Sequence, residues 1–213
     1  YTFSSENFSQ EPVQLKTETK SDKKPVFLSD RIGFYILPFV ALQNSGDFEF
    51  KPQPNSPVIF DIDHELGFAS GWRLGVESNH LFIDAEFSYF RNSCIGIEVL
   101  NTTTRFKVEG EAEGFGFFIN GGGKIKVSSK TDFFLGGGFG SVKQEIGFTE
   151  LSTSFSPEEE STLFTYQFFT GINYDMAEYL RIGLRYRWMR VGEMKLFTAR
   201  ELHLAELSFG CVF

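Results

Sequence analysis

No stretch of this 213-residue chain approaches 18 consecutive apolar residues, which excludes a transmembrane helix. Cysteine is nearly absent: Cys94 and Cys211 stand too far apart to define a metal or redox motif. Basic residues are few, 20 Lys and Arg against 28 Asp and Glu, so the net charge is −8. That balance argues against a nucleic-acid or anionic-lipid binder. The triplets Gly121–Gly123 and Gly136–Gly138 lack the Lys-Ser/Thr of a nucleotide-binding loop. No cofactor and no metal are expected. The chain has no initiator Met and no signal peptide, and its start at Tyr1 reads equally as a processed, exported form or as a trimmed chain.

What the chain has in excess is phenylalanine. There are 27, yet mean hydropathy is slightly negative. Alternating strands produce that combination, because each apolar residue is followed by a polar or tiny one. The closing segment Glu201–Phe213 sets the pattern. Ala205, Leu207, Phe209, Cys211 and Phe213 fall on one face, and Glu206, Ser208 and Gly210 on the other. A small, partly charged face and an aromatic face recur along the chain. They describe a closed sheet turned inside out, apolar toward lipid and polar toward a narrow lumen.

Reading in order, the predicted strands are Ile32–Gln43 (apolar on both faces, with Pro38 removing a ladder donor), Phe60–Gly75 and Leu81–Phe90. A strand ending near Val127 follows, then Asp132–Ile146, Leu163–Tyr174, Leu180–Trp188 and the closing segment. The connections Glu77–His80, Ser128–Thr131 and Asp175–Glu178 are short. Those from Asn44, Asn92, Gly147 and Val191 are long. The prediction over residues 31–213 is an all-β fold: an eight-stranded antiparallel up-and-down transmembrane β-barrel with four long outer loops and short periplasmic turns. Residues 1–30 are a different material, polar and without apolar period, and read as a periplasmic tail.

Two pairs of segments carry a family resemblance. Gly67-Phe-Ala-Ser-Gly-Trp-Arg-Leu-Gly75 followed by Leu81-Phe-Ile-Asp-Ala-Glu-Phe-Ser-Tyr-Phe90 resembles the second hairpin of small bacterial outer-membrane barrels of the OmpA-domain, OmpX and opacity-protein type. Leu180-Arg-Ile-Gly-Leu-Arg-Tyr-Arg-Trp188 and Leu207-Ser-Phe-Gly-Cys-Val-Phe213 look like their last hairpin. The departures are the tail and the charged run Glu109, Glu111 and Glu113. The resemblance implies an integral outer-membrane protein with both termini periplasmic, in contact with outer-membrane lipid and lipopolysaccharide. It also implies that Leu207, Phe209 and Phe213 are read by the insertion machinery. A protein partner for residues 1–30 or for the loops fits the same picture.

The predicted lumen charges are Glu65, Arg73, Asp84, Glu86, Lys124, Lys126, Asp132, Arg181, Arg185, Arg187 and Glu206. An eight-stranded barrel is just wide enough for interior side chains to fill it, and buried charges there must pair. A hairpin centred on Ser78-Asn79 would put Arg73 opposite Asp84. A three-residue turn would put Lys126 opposite Asp132. The same list describes a gated ion path or a salt-bridged plug, and the pairing favours the plug.

Other candidates are weaker. His64 and His203, the latter near Glu201, are expected to face outward at the outer-leaflet end, where a lipid A-modifying enzyme would need a His beside a Ser. Neither has a Ser two residues away. His80 belongs in a turn. Trp72, toward the short turns, and Trp188, toward the long loops, together with Tyr89, Tyr174 and Tyr186, are expected in interfacial aromatic belts. Glu158–Glu160 reads as a solvated loop tip rather than a divalent-cation site. Cys94 near the loops and Cys211 near the turns lie too far apart to bridge. The expected function is a non-enzymatic membrane anchor that displays its loops and tail, with a narrow solute channel and a lipid A-modifying enzyme as the alternatives.

Overall fold

The computed structural model describes residues 32–46, 48–51, 59–99, 105–150 and 158–213. The predicted tail, residues 1–30, lies outside the described residues. Ten strands follow one another: β1 (Gly33–Ser45), β2 (Phe48–Phe50), β3 (Phe60–His64), β4 (Gly67–Glu77), β5 (Leu81–Val99), β6 (Arg105–Lys126), β7 (Thr131–Glu150), β8 (Glu158–Ala177), β9 (Leu180–Val191) and β10 (Arg200–Val212). Among the described residues there is no helix. β1 pairs with both β4 and β10, and consecutive strands from β4 to β10 pair antiparallel. Eight strands thus close a ring, leaving β2 and β3 as an added hairpin at one end.

The short turns form where a serine can hold the backbone. The Ser78 amide donates to the Leu81 carbonyl at 2.8 Å, and the Ser78 hydroxyl accepts from the amides of His80 and Leu81. Ser128 does the same at the next turn, accepting from the Lys130 amide. The first of these hairpins is centred on Asn79-His80 rather than Ser78-Asn79. That one-residue shift of centre moves the register by two, so Arg73 stands opposite Glu86, and Gly75 opposite Asp84.

The wall is uneven. β1, β9 and β10 have 13, 12 and 13 residues, whereas β5, β6, β7 and β8 have 19, 22, 20 and 20. At ~3.3 Å per residue, β6 is ~70 Å long, far more than a bilayer requires. Most of the second and third predicted loops is therefore strand. The reason lies in the chemistry of the faces. Along β6, even positions point inward throughout, but the outward residues change from Phe115, Phe117 and Ile119 to Glu109, Glu111 and Glu113. Inward, Val108 and Ala112 are buried where a lumen pattern predicts polarity. Beyond this line the barrel is built like a water-soluble sheet, so a search for apolar-out alternation loses it.

A second correction concerns the predicted strand Phe60–Gly75. It is two strands, separated by Glu65 and Leu66, with a register shift at Asp63/His64 against β5. The break reverses the parity: Ile62 and His64 point inward in β3, whereas Ala69 and Arg73 do so in β4. Glu65 sits in the break and is exposed, so it is not a lumen residue.

Two apolar clusters fill the interior toward the loop end. The lower contains Phe90, Phe118, Met189, Leu202 and Leu204. The upper contains Phe50, Ile62, Val108, Ile146, Phe148 and Phe197. Residues 192–199, between β9 and β10, run across the top. Phe197 bridges to Phe50, and the Lys51 amide donates to the Leu196 carbonyl at 2.8 Å. On the other side the Glu159 carboxylate accepts from the amides of Lys195 and Leu196 at 2.9 and 3.0 Å. This segment straps the free side of β8 to β2 and closes the upper ring. Glu158 and Glu160, read as part of a loop tip, are outward residues of β8.

Candidate functional site: the lumen and its seals

The lumen charges form two tiers. Nearest the short turns, Lys124 lies 2.9 Å from Glu77 and 3.8 Å from Asp132, while Arg181 contacts Glu77 and Asp175, each at 2.7 Å. Lys126 faces Asp132 in register but is exposed, because it ends β6 at the open short-turn mouth; the ion pair goes to Lys124. Glu77 and Asp175 were placed in turns by the sequence reading, and are the residues it missed here. Both close their strands on the inward side, where the alternation of the neighbouring hairpin would have reached them.

The second tier is deeper. Arg187 binds both Glu86 and Glu206 through its terminal nitrogens, and all three side chains are fully buried. Arg73 pairs with Glu206 at 3.0 Å, rather than with Asp84. Asp84 instead accepts from the Tyr35 hydroxyl and the Asn120 amide, both at 2.7 Å. Asn120 accepts in turn from Gln167, which accepts from Arg187 at 3.1 Å. Arg185 lies over the Phe169 ring at 4.1 Å and farther from its acids, 3.7 Å from Glu86 and 3.8 Å from Glu206. Three guanidinium groups thus face three carboxylates in this buried tier, so no net charge is left there. Small residues on facing strands make the space: a Cβ at Gly183 would lie 2.6 Å from the Ser208 hydroxyl, and one at Gly136 2.6 Å from the Phe169 ring.

Between the tiers lies a cavity of ≈ 20 Å³, lined by Tyr35, Glu77, Lys124, Arg181, Arg185 and Ser208 among others. That is room for about one water. Above the second tier come the lower apolar cluster, then a polar layer that includes Gln43 hydrogen-bonded to Asn92, then the upper cluster under the strap.

Next to this layer His64 Nδ1 lies 3.6 Å from the Sγ of Cys94, itself a member of the upper cluster, with Arg200 buried nearby. His64 therefore faces inward, not outward, as the parity reversal at β3 requires. Burial, and then the charge of Arg200, lowers its pKa to about 3. Burial raises the Cys94 thiol to about 11 against the opposing pull of Arg200. The pair is a neutral imidazole beside a protonated thiol, which is not an activated nucleophile. Because the folded pKa of His64 lies below the ordinary 6.5, the unfolded form binds the extra proton between the two values. Stability of the loop end is then expected to fall as pH drops from about 6.5 toward 3. Chemical denaturation across that range should show a shallower pH slope for His64→Gln than for the native chain. An identical slope would contradict the assignment.

Of the outward candidates, His203 bonds the Tyr186 hydroxyl at 2.7 Å through Nδ1, a phenol rather than a serine. Glu201 is held by Trp188 Nε1 at 3.2 Å and by Arg190 at 3.3 Å. Tyr89 and Trp188 lie near the loop-end limit of the apolar wall, Tyr186 midway along β9 and Tyr174 near the short-turn end of β8. Trp72 lies midway along β4, opposite Pro38 and Phe87, rather than toward the short turns. Leu207 and Phe209 face outward on β10, about half exposed. Cys94 and Cys211 are both free thiols. Among the described residues no group of three or more His, Cys, Asp or Glu could hold a metal ion.

The outer surface has a sharp limit. Tyr89, Phe115, Lys143 and Thr162 stand side by side across β5–β8, and the next row toward the loops is Arg91, Glu113, Glu145 and Glu160. Below these rows the outward positions are mostly large and apolar, with Ser70, Ser141 and Thr170 among the exceptions. Within them the charges pair, Arg91 with Glu113 at 3.4 Å and Lys143 with Glu160 at 2.9 Å, all exposed.

No protein-family model matches the chain, and no curated protein matches it. Solved structures do. OprG from Pseudomonas aeruginosa superimposes with a TM-score of 0.58 at 10% identity, covering 86% of this chain and 97% of that one. Neisserial surface protein A superimposes with a TM-score of 0.53 at 14% identity, covering 84% of this chain and 95% of that one. Ring closure, antiparallel up-and-down order and the inverted wall agree with these likenesses: the chain has the fold of the small eight-stranded outer-membrane β-barrels.

Proposed function

We propose that this chain is a non-enzymatic integral protein of the bacterial outer membrane, with a closed barrel that anchors a protruding wall and its loops. The short turns and both termini lie on the periplasmic side, and β5–β8 carry the loops above the outer leaflet. Lipid and lipopolysaccharide cover the apolar wall, and a protein partner takes the loops or residues 1–30. The observation that carries this reading is the filled lumen: two paired charge tiers and two apolar layers lie in series across it. An ion crossing it would have to break the buried pairs and then leave water altogether at each apolar layer, a cost of several kcal/mol or more. Reconstitution into a planar lipid bilayer tests this. Insertion without steady conductance is expected, and stable single-channel openings by the native chain would replace the anchor with a channel.

A further inference from the structure

The apolar wall is not uniformly covered. On β1, β4, β5 and β6, two rows cross it side by side: Pro38, Trp72, Phe87 and Phe117, then Val40, Ser70, Tyr89 and Phe115. Most positions carry a large ring or branched chain, but Pro38 and Ser70 are small and lie diagonally next to one another. The result is a hollow of ≈ 480 Å³ bordered by Pro38, Ser70, Trp72, Phe87, Tyr89 and Phe115, within the range of roughly 300–1,000 Å³ common for ligand pockets. Its aromatic side is braced. Phe87 and Phe117 have ring centroids 5.1 Å apart, and Tyr89 and Phe115 5.0 Å. Glycines at positions 71 and 116 border it as well.

We propose that this hollow seats one acyl chain of an outer-leaflet lipid. The inference rests on the reading that the wall faces lipid, and adds a particular site to it. Three features select a chain. The border is mostly apolar, with Ser70, Ser88 and the Tyr89 phenol as its polar members. The hollow is continuous with the lipid-facing wall, so the medium available to fill it is hydrocarbon. It lies in the upper part of the wall, with Tyr89 one row below Arg91, where the first methylenes of an outer-leaflet chain run. The headgroup is not what is recognised, since Arg91 is already engaged by Glu111 and Glu113. A chain lying there touches protein on several sides, whereas elsewhere it meets a convex wall and gains fewer dispersion contacts.

The experiment has two arms. In the first, the full chain with Trp188→Phe, so that Trp72 is the remaining tryptophan, is placed in phosphatidylcholine vesicles with brominated acyl chains. Quenching of Trp72 by bromine is expected; quenching by aqueous acrylamide alone would overturn the underlying reading of a lipid-facing wall. In the second arm, the native chain, Ser70→Phe and Thr170→Phe are extracted from vesicles of that lipid and analysed by native mass spectrometry. Thr170 is another outward position, on β8. One retained lipid is expected for the native chain and Thr170→Phe, and its loss for Ser70→Phe, which fills the hollow with a ring. Equal retention by Ser70→Phe, or no lipid on the native chain, would overturn the seat while leaving the lipid-facing wall intact. Heat-modified migration of all three on gels verifies that the substitutions leave the barrel folded.

Discussion

Replacing Arg187 with alanine is expected to destabilise the barrel by about 3–5 kcal/mol, the cost of removing one partner from a buried ion pair. Its guanidinium binds Glu86 and Glu206 at once, with no solvent exposure on any of the three side chains. Without it, the cations left to the two buried carboxylates are Arg73 and the more distant Arg185, with Ser88 and Asn120 as neutral donors to Glu86. The same change should leave Gln167 without one of its donors. Urea titration of the barrel in vesicles measures the loss. Adding Glu86→Gln to Arg187→Ala should recover part of it, because the uncompensated charge is then gone. Two substitutions that add within about 0.5 kcal/mol would show that they do not interact, and would contradict the bridged tier.

The second large effect is expected on the other face of the wall. Phe209 points outward from β10, opposite Ile182 and between Leu207 and Cys211, and is 52% exposed to its surroundings. If those surroundings are hydrocarbon near the bilayer midplane, Phe209→Arg costs about 2–4 kcal/mol. Glu109→Arg, equally outward on β6 but beyond the aromatic limit, should stay within about 0.5 kcal/mol, as ordinary surface changes do. A harmless Phe209→Arg would mean that water, not lipid, covers this face.

How far the sequence could be read depended on whether a local rule continued to hold. The stretches Glu206–Cys211 and Leu180–Trp188 were legible because there every outward residue is apolar and every inward one polar or small. The buried charges Arg73, Asp84, Glu86, Lys124, Asp132, Arg181, Arg185, Arg187 and Glu206 followed from the same alternation. Glu65 did not, because parity cannot be carried across the break between β3 and β4, and nothing in residues 60–75 marks the shift. His64 was misplaced for the same reason. Partners were harder than faces. Arg73 reaches Glu206, 133 positions away in the chain, a choice made by ring closure between β1 and β10 that no hairpin register contains. The loop-proximal ends of β5–β8, residues 92–99, 105–107, 147–150 and 158–161, were read as loops because no apolar-out alternation marks them. The buried apolar residues there, Cys94, Ile97 and Phe148, were the signal that the strands continue.

The central claim is that one continuous wall changes solvent part-way up, lipid below and water above. Strand β6 crosses the whole height, so it carries the most direct measurement. With Cys94 and Cys211 replaced by alanine, single cysteines would be placed at the outward positions 107, 109, 111, 113, 115, 117, 119 and 125 of the reconstituted full chain and spin-labelled. Collision with membrane-dissolved oxygen and with an aqueous nickel chelate would then be compared at each. The expected result is nickel-dominated relaxation from Lys107 to Glu113, and oxygen-dominated relaxation from Phe115 through Ile119 to Ile125. Nickel access at all eight positions would contradict the account, since it would describe a barrel standing wholly in water.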